Sequence, residues 1–421
     1  MAKRPPRKLK NPVRVTFDGE PITAERGEPL AAAIVASGKL SIARSPKFHR
    51  PRGPACFRAA CDGCLARVDG VPNVMTCQVP AEEGSVVESQ NTLGARELDL
   101  LRMTDWFFPD GLNHHELFAG VPGVQRVMQV FARRVAGLGK LPAKELAPRK
   151  AARRHVEALI VGAGPAGMAC ALALRARGKI VEIVDDGLEA GGASLALVEH
   201  LFSAITVPFT ASVAAEEIRL RLRTTVAGIY GDDALVIGPE GAEILEADTV
   251  VLAPGAHDGV LAFEGNDLPG VMSARAAGWL LRRGIVPGRH IVVCVSEGGG
   301  PFGEAWARAV ADAKIPCEVT LLHGAPRRAR GIARVKEVAI AEGDTERVLS
   351  ADLLLVDAPR SPAYELAEQA GAKLRHEPRG FVVESDGGHV RGRFWVAGEA
   401  GGGHFRAEAL RTEAEHLAAR V

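Results

Sequence analysis

Four cysteines near the amino terminus restrict the fold of this chain more than any other feature. They fall within 22 residues in the pattern C-x4-C-x2-C-x12-C, at Cys56, Cys61, Cys64 and Cys77. This is the start of the plant-type spacing of iron–sulfur proteins, in which four thiolates hold a [2Fe–2S] cluster. The pattern therefore predicts a metal site made of these four residues.

The residues between the last two cysteines predict how they meet. Leu65 to Val68 and Val71 to Met75 have the composition of two short β-strands, and Asp69-Gly70 between them is typical of a two-residue hairpin turn. A hairpin returns the chain to its starting point. We therefore expect Cys77 to lie beside Cys64.

Zinc and disulfide bonds are the alternatives for these cysteines. Zinc sites usually combine two C-x2-C pairs, whereas this segment has one, Cys61-Asp-Gly-Cys64. Disulfide frameworks belong to oxidising compartments. Residues 1–10 are basic but are followed by no apolar stretch of the kind found in export signals, so we expect a cytoplasmic protein.

Size and charge exclude several classes of protein. With 421 residues, 47% of them hydrophobic, the chain is long enough for two or three ordinary cores. The 52 lysines and arginines balance 51 aspartates and glutamates, so charge gives no reason to expect a nucleic-acid partner. No apolar run reaches the length of about 18 residues that a spanning helix needs, and we expect no membrane span.

The amino-terminal segment is typical of a small sheet around one helix. Residues 13–17 favour a strand, 29–37 a short alanine-rich helix and 85–88 a closing strand. We predict a β-grasp, ferredoxin-like domain over residues 11–90, which a metal cluster would help to stabilise. Residues 91–152 lack this pattern and are predicted to form a helical connector.

The next segment carries a complete dinucleotide-binding pattern. A buried-strand run precedes Gly162-Ala-Gly164-Pro-Ala-Gly167, a helical stretch follows, and Ile180 to Val184 is a second strand that ends at Asp185. Gly162 permits a tight turn, Gly164 lets a pyrophosphate approach the amides of a helix amino end, and Gly167 lets helix and strand pack closely. Asp185 is expected to accept the adenosine ribose hydroxyl and to repel a 2′-phosphate.

A second copy of the glycine pattern follows in different surroundings. Gly298-Gly-Gly300-Pro-Phe-Gly303 lies between strand-like runs at 291–295 and 318–322. Glu297 stands directly before it, where a carboxylate opposes bound phosphates, and the second strand ends in His323 rather than an acid. This second site could bind NADPH, or it could be degenerate and bind no nucleotide; NADH fits it less well. NADPH is an option because nearby arginines could meet a 2′-phosphate, namely Arg327, Arg328 and Arg330.

The remaining glycine turns fit two nested folds. Asp248 to Gly255 is a strand that runs into a glycine turn, where the chain would leave the first fold, and Phe394 to Glu399 is a late strand before a closing helix. The predicted architecture is therefore α/β and multidomain, with two nested Rossmann-like dinucleotide-binding domains. The first comprises residues 153–257 and 378–421, and the second residues 258–377.

The chain resembles a known family over nearly its whole length. The α subunits of heterotetrameric sarcosine oxidase, and their relatives in hydrogen cyanide synthase and in opine or amino-acid dehydrogenase complexes, carry similar segments. The matching segments here are Ser45 to Gly53, Asp69 to Asn73, Asp105 to Pro109, Leu252 to His257 and Glu264 to Gly270.

The resemblance implies a flavoprotein of the pyridine nucleotide-disulfide oxidoreductase type, with FAD or another adenine dinucleotide at the first glycine pattern and Asp185. Many relatives carry aspartate where Glu399 stands. The loop Cys56-Phe-Arg-Ala-Ala-Cys61 lacks the glycines often found there, so amides around the cluster sulfurs are expected to sit differently. The expected cofactor-binding residues are Gly162, Gly164, Pro165, Ala166, Gly167, Asp185, Gly192, Gly255, Gly398 and Glu399, with Gly298, Gly300 and Gly303 for NAD(P) at the second site.

The resemblance also implies a function. A partner flavoprotein subunit of β type would take a hydride from a secondary amine or amino acid, such as sarcosine, an opine, proline or glycine. This chain would pass the electrons through FAD and the cluster to an acceptor. Two other functions stay open, a self-contained NAD(P)H-dependent reductase and a scaffold that binds nucleotide without turnover.

The other three cysteines carry no predicted chemistry. Cys170, Cys294 and Cys317 are isolated and are expected in the core, so thiol–disulfide reduction is not predicted. No residue of the chain is assigned to proton transfer.

Overall fold

The computed structural model describes residues 7–46, 48–90, 92, 99–103, 123, 124, 126, 127, 130, 150–197, 201–342 and 345–421. The connector predicted for residues 91–152 lies almost wholly outside these residues, and so does the segment Asp105 to Pro109. Within the connector the structure describes a 3-10 turn, Leu100–Arg102. No helix among the described residues is both long and apolar enough to cross a membrane.

The amino-terminal module is built from short strands and one helix. The helix, α1, is Leu30–Ala36; it begins after Pro29 and ends before Gly38, which has a φ of 90°. The strands are β1 Pro12–Phe17, β2 Glu20–Glu25, β3 Ala43–Arg44, β4 Pro51–Arg52, β5 Leu65–Val68, β6 Val71–Met75 and β7 Val86–Glu88.

Five of these strands form one sheet in the order β2-β1-β7-β5-β6, in which β1 and β7 are parallel and the other pairs antiparallel. The two-residue turns Asp18-Gly19 and Asp69-Gly70 have positive φ at every position, as the hairpin turn that follows the strand twist requires. Helix α1 is buried against the sheet. The predicted β-grasp arrangement is confirmed.

The first dinucleotide-type fold contains one eight-stranded sheet. Helices α2 (Pro165–Ala176), α3 (Ser203–Ala214) and α7 (Ala407–Arg420) belong to it, and α2 packs against the other two. Its strands are β8 Ala152–Val161, β9 Val181–Val184, β10 Ile218–Arg221, β11 Thr225–Tyr230, β12 Asp233–Gly238, β13 Gly241–Leu252, β25 His389–Arg391 and β26 Phe394–Val396. Strands β10, β9, β8, β13 and β26 run parallel, so their carboxyl ends share one edge.

The second fold has a parallel sheet in the order β15-β21-β16-β17, from Val271–Ser273, Leu353–Asp357, His290–Val295 and Glu318–His323. Its helices are α4 (Ala274–Arg282) and α5 (Phe302–Asp312). A three-stranded antiparallel sheet adjoins it, with β18 Pro326–Arg330, β19 Glu337–Glu342 and β20 Thr345–Ser350.

Short elements link the two folds. They are the pair β14 Ala256–His257 and β22 Ser361–Pro362, helix α6 Glu365–Gln369, and the pair β23 Leu374–Glu377 and β24 Gly380–Val383. The chain enters the second fold after β14, leaves it at β22, and returns to the first sheet when β26 pairs with β13. The nested architecture predicted from the glycine turns is confirmed.

The amino-terminal module contacts the second fold through its cysteine loop. The Ser273 N–H donates to the carbonyl oxygen of Ala55 at 2.9 Å, and the rings of Phe57 and Trp279 stack at 5.5 Å between centroids. A side chain at Gly53 would lie 3.1 Å from the Cα of Pro269. Two of these contacts, those of Ser273 and Trp279, hold the cysteine loop against helix α4 and the residue before it.

Candidate functional site

The four predicted ligand cysteines form two pairs. The Cys56 thiol donates to Cys61 Sγ at 3.4 Å, and Cys64 is hydrogen-bonded to Cys77, as the hairpin predicted. The structure describes all seven cysteines, and none of them is in a disulfide bond. Among the described residues, no group of three or more histidine, cysteine, aspartate and glutamate side chains is arranged to hold a metal ion, so the thiols stand as two pairs and not as one closed group.

The two pairs suit the chemistry of a binuclear cluster. A [2Fe–2S] cluster has two irons and takes four thiolates, so each pair can serve one iron. The hydrogen bond from Cys56 lowers the pKa of Cys61 to about 6, while the hydrogen bond to Cys77 and burial raise the pKa of Cys64. Thiolate is the form that binds metal.

The backbone of the cysteine loop compensates for its missing glycines. Phe57 and Ala59 have φ values of 52° and 55°, a left-handed conformation that costs non-glycine residues of order 1 kcal/mol or more. Between them, the Arg58 N–H points at Cys56 Sγ at 3.3 Å. Amide hydrogen bonds to the sulfurs are a main influence on the reduction potential of such a cluster. The strained residues are therefore those that direct the Arg58 N–H toward a sulfur.

The glycines of the first pattern divide into two groups. A Cβ at Gly162, whose φ is 107°, would lie 2.3 Å from the carbonyl oxygen of Ala253, and one at Gly167 would lie 1.9 Å from the carbonyl oxygen of Gly162. The fold itself therefore requires these two glycines. Gly164 has ordinary φ and ψ of −77° and 178°, and the nearest atom to a Cβ there is Gly192 Cα at 4.0 Å. Its open side is left for a ligand.

Three adjoining cavities lie between these glycines and the cysteines, with volumes of about 240, 80 and 420 Å³. The first shares Arg58 with the second, and it shares His257 and Glu365 with the third, which Cys56 and Cys61 also line. The predicted residues that line the first cavity are Gly162, Gly164, Pro165, Ala166, Asp185, Gly192, Gly255 and Glu399.

Two predicted residues lie behind this cavity wall. Gly167 packs against Gly162, and the Gly398 N–H donates to Glu413 Oε1 at 3.0 Å. Arg58 is among the lining residues that the sequence reasoning missed, together with Asp186 and Glu365. Arg58 lies in the cysteine pattern, and no local signal connects it with a turn about 200 residues away.

Asp185 directly follows strand β9, at the place that the sequence predicted. Its carboxylate accepts hydrogen bonds from the backbone. It accepts the N–H of Ala163 at 2.6 Å and that of Gly187 at 2.7 Å. Burial, together with the neighbouring Asp186, raises the pKa of Asp185. Each carboxylate oxygen keeps a further lone pair, so a ribose hydroxyl can still donate to it.

Glu399 also lines the first cavity and is paired across the two folds. Its Oε1 lies 2.7 Å from Nη2 of Arg360, whose guanidinium lies over the rings of Phe302 and Phe405 at 4.8 and 4.6 Å. Burial raises the pKa of Glu399. The ion pair with Arg360 therefore fixes the position of the Glu399 carboxylate at the cavity, although the glutamate side chain is longer than the aspartate of many relatives.

The second glycine pattern surrounds a carboxylate of its own fold. Asp357, at the end of β21, accepts the N–H groups of Gly300 at 3.0 Å and of Gly303 at 2.7 Å. These amides open helix α5, where a phosphate would bind in a dinucleotide fold. None of the three cavities is lined by Gly298, Gly300 or Gly303.

The other residues assigned by sequence fall in separate places. Arg328 pairs with Glu346 within the three-stranded sheet, and His323 ends β17 as predicted. Cys170 and Cys294 are buried, as expected of core residues, whereas Cys317 is only partly buried and packs at the edge of the core.

Comparisons with known proteins agree with this arrangement. Residues 10–92 match the family described as 2Fe-2S iron-sulfur cluster binding domain, and residues 156–334 match the family pyridine nucleotide-disulphide oxidoreductase. The structure is similar to the crystal structure of L-proline dehydrogenase from P. horikoshii, with a TM-score of 0.72 and 20% identity, over 97% of this chain and 73% of that chain. This likeness concerns the fold.

Curated relatives give the same picture from sequence. The alpha subunit of sarcosine oxidase from Rhizobium meliloti (strain 1021) is 31% identical over 321 residues, which are 69% of this chain and 32% of that protein. An opine oxidase subunit of Agrobacterium tumefaciens (strain Ach5) is 26% identical over 58% of this chain and 61% of that protein. The chain thus spans less than two thirds of either relative. It is a homologue of these oxidase subunits, and its two family matches are to an iron–sulfur domain and to a dinucleotide-binding oxidoreductase domain.

Proposed function

We propose that this chain is the electron-transfer subunit of a flavin and iron–sulfur dehydrogenase or oxidase, which oxidises a secondary amine or an amino acid on a partner subunit. The observation that carries the proposal is the shared wall of the cavities. Cys56 and Cys61 line a cavity that shares His257 and Glu365 with the cleft of the first glycine pattern. Two redox groups held there would be neighbours.

The donor sets fit the two groups. Two thiol pairs with an amide aimed at one sulfur suit a [2Fe–2S] cluster, and an open Gly164 at the amino end of α2 suits the pyrophosphate of FAD. When bound, a flavin exchanges two electrons and an iron–sulfur cluster one, so together they convert hydride chemistry into single-electron transfer. We also propose a cytoplasmic location, which is supported by cysteines that form no disulfide bond among the described residues.

The substrate class is taken from the relatives. The homologues and the structural neighbour are named for oxidation of sarcosine, opines and L-proline, which are secondary amines or derived from amino acids. Several relatives are subunits of larger assemblies by name, and this supports a catalytic flavoprotein partner of β type. The residues of this chain supply cofactor contacts in the proposal and no proton transfer.

We further propose that the second glycine pattern is structural and holds no NAD(P). Asp357 already accepts the amides that a phosphate would use, and a bound phosphate would have to displace a carboxylate of the same charge. This argues against the self-contained NAD(P)H-dependent reductase, which needs a second nucleotide site.

Anaerobic reduction of the bound flavin and cluster distinguishes the electron-transfer subunit from the reductase and the scaffold. We expect NADH and NADPH to leave the flavin of the isolated chain oxidised, whereas a secondary amine added to the complex with the partner reduces both flavin and cluster. Absorption and electron paramagnetic resonance spectra follow both groups. Direct bleaching by NADPH in the isolated chain would instead establish the reductase, and a chain with neither iron nor flavin would be the scaffold.

The cysteine assignment is checked by metal analysis of anaerobically prepared protein. Cys61→Ser is expected to abolish bound iron, because a serine hydroxyl is a poor replacement for a thiolate ligand. Cys317→Ser, at a cysteine outside the two pairs, serves as the control and is expected to keep the wild-type iron content. Zinc in place of iron in the wild-type protein, or full iron in Cys61→Ser, contradicts the assignment.

The flavin site is checked by a pair of glycine substitutions. Gly164→Ala is expected to weaken FAD binding at least about tenfold, or ~1.4 kcal/mol, because the new methyl group occupies the ligand's approach. Its free energy of unfolding is expected to stay within about 0.5 kcal/mol of wild type, since a Cβ there meets nothing closer than 4.0 Å. Gly162→Ala is the contrasting variant and is expected to destabilise the fold. Unchanged FAD affinity in a folded Gly164→Ala protein argues against this site.

The role of Asp357 predicts a pH dependence of stability. Burial raises the pKa of Asp357 from 3.8 to about 6 in the folded protein, so the folded state holds this proton more tightly than the unfolded state. The resulting stabilisation is complete below about pH 4 and is lost as the pH rises through 6, by an amount on the order of 3 kcal/mol. The free energy of unfolding, measured with urea at a series of pH values, is expected to show this loss for the wild type and not for Asp357→Asn. The exposed control Asp232→Asn is expected to follow wild type, and parallel curves for wild type and Asp357→Asn contradict the prediction.

A further inference from the structure

The side chain of Arg58 crosses from the cysteine loop to the wall of the dinucleotide cavity. Its Nη1 donates to the carbonyl oxygen of Ala256 at 2.8 Å and its Nη2 to that of Pro254 at 3.2 Å. Pro254 lies in the turn after β13 and Ala256 begins β14, and both residues line the first cavity. Two hydrogen bonds to fixed backbone hold the guanidinium in place.

Arg58 brings a positive charge to a cavity that is lined by acidic side chains. Four acids line the first cavity, Asp185, Asp186, Glu365 and Glu399, and Arg58 is the one lysine or arginine among the described lining residues. Arg58 lies within electrostatic reach of Asp185 and Asp186. A dinucleotide would add the negative charges of its pyrophosphate to a cleft that is already acidic. Besides the amino end of α2, the guanidinium is the positive group available to offset them.

The backbone of the same residue is fixed by the cysteines. The Arg58 N–H donates to Cys56 Sγ, and the residues on either side, Phe57 and Ala59, both have left-handed φ. The peptide conformation that aims this amide at the sulfur also sets the direction in which the side chain leaves the loop. An iron held by Cys56 and Cys61 would fix this conformation.

We propose that Arg58 is a dinucleotide-binding residue supplied by the cysteine loop, and that through it occupation of the cluster site raises the affinity of the cavity for FAD. The inference rests on the proposed function. By reciprocity, bound FAD stabilises the cluster by the same factor. A chain without iron would then also bind its flavin weakly, so the two cofactors assemble together.

The test measures FAD affinity in full-length protein, by titrating flavin-free samples and following the quenching of flavin fluorescence. The variants are Arg58→Met and Arg58→Lys. Arg334→Met is the matched control, because Arg334 is also partly buried and donates to a carbonyl oxygen, that of Asp352 at 2.8 Å, away from the cavities. Each protein is measured iron-loaded and after removal of iron by a chelator, and thermal unfolding checks that it is folded.

We expect Arg58→Met to weaken FAD binding about tenfold or more, Arg58→Lys less and Arg334→Met not at all. Removal of iron is expected to weaken FAD binding of the wild type by about fivefold or more, within the usual range of coupling between sites, and to have no further effect in Arg58→Met. Equal affinities of wild type and Arg58→Met, or an iron effect that persists in Arg58→Met, overturn the inference while the proposed function stands. If the wild-type protein binds neither iron nor FAD, both this inference and the proposed function are wrong.

Discussion

A buried arginine, Arg275, holds the cysteine loop against the second fold, and the relation between the two candidate sites depends on it. Its Nε and Nη2 donate to the Asp258 carboxylate at 2.6 Å, and Nη2 also donates to the carbonyl oxygen of Cys56 at 2.7 Å. The side chain is 4% exposed, and a buried guanidinium is stable only when it is paired and hydrogen-bonded. The loop is therefore held in one position, from which its thiols and Arg58 face adjoining cavities.

Local patterns predicted the parts of the site that depend on neighbouring residues. The turn at Asp69-Gly70 has the positive φ values that its sequence demands, and Gly162 has the φ of 107° that suits only glycine. The nested order of the folds followed from where strands end in glycine turns. Each of these features is set by residues a few positions apart, and the amino-acid sequence shows them directly.

Contacts between distant segments were out of reach of the same reasoning. Arg58 meets Ala256, Arg360 meets Glu399, and Asp357 meets Gly300, in each case between residues that are far apart in the sequence. From sequence alone, a charged residue in a loop is expected to be solvated, because nothing nearby in the chain indicates its distant partner. Glu297 and His323 set the second glycine pattern apart in sequence, but the carboxylate that closes it, Asp357 at the end of β21, lies 57 positions further along the chain than Gly300.

Trp279 gives the position of the cysteine loop an optical signature. Its indole stacks on Phe57, lies 3.3 Å below the guanidinium of Arg283 and lines the second cavity with Arg58. A neighbouring cation and a stacked ring both act on an indole, so its emission depends on whether the loop is docked. Since the chain has only four tryptophans, ordinary ultraviolet fluorescence offers a label-free readout of this domain contact during refolding and reconstitution.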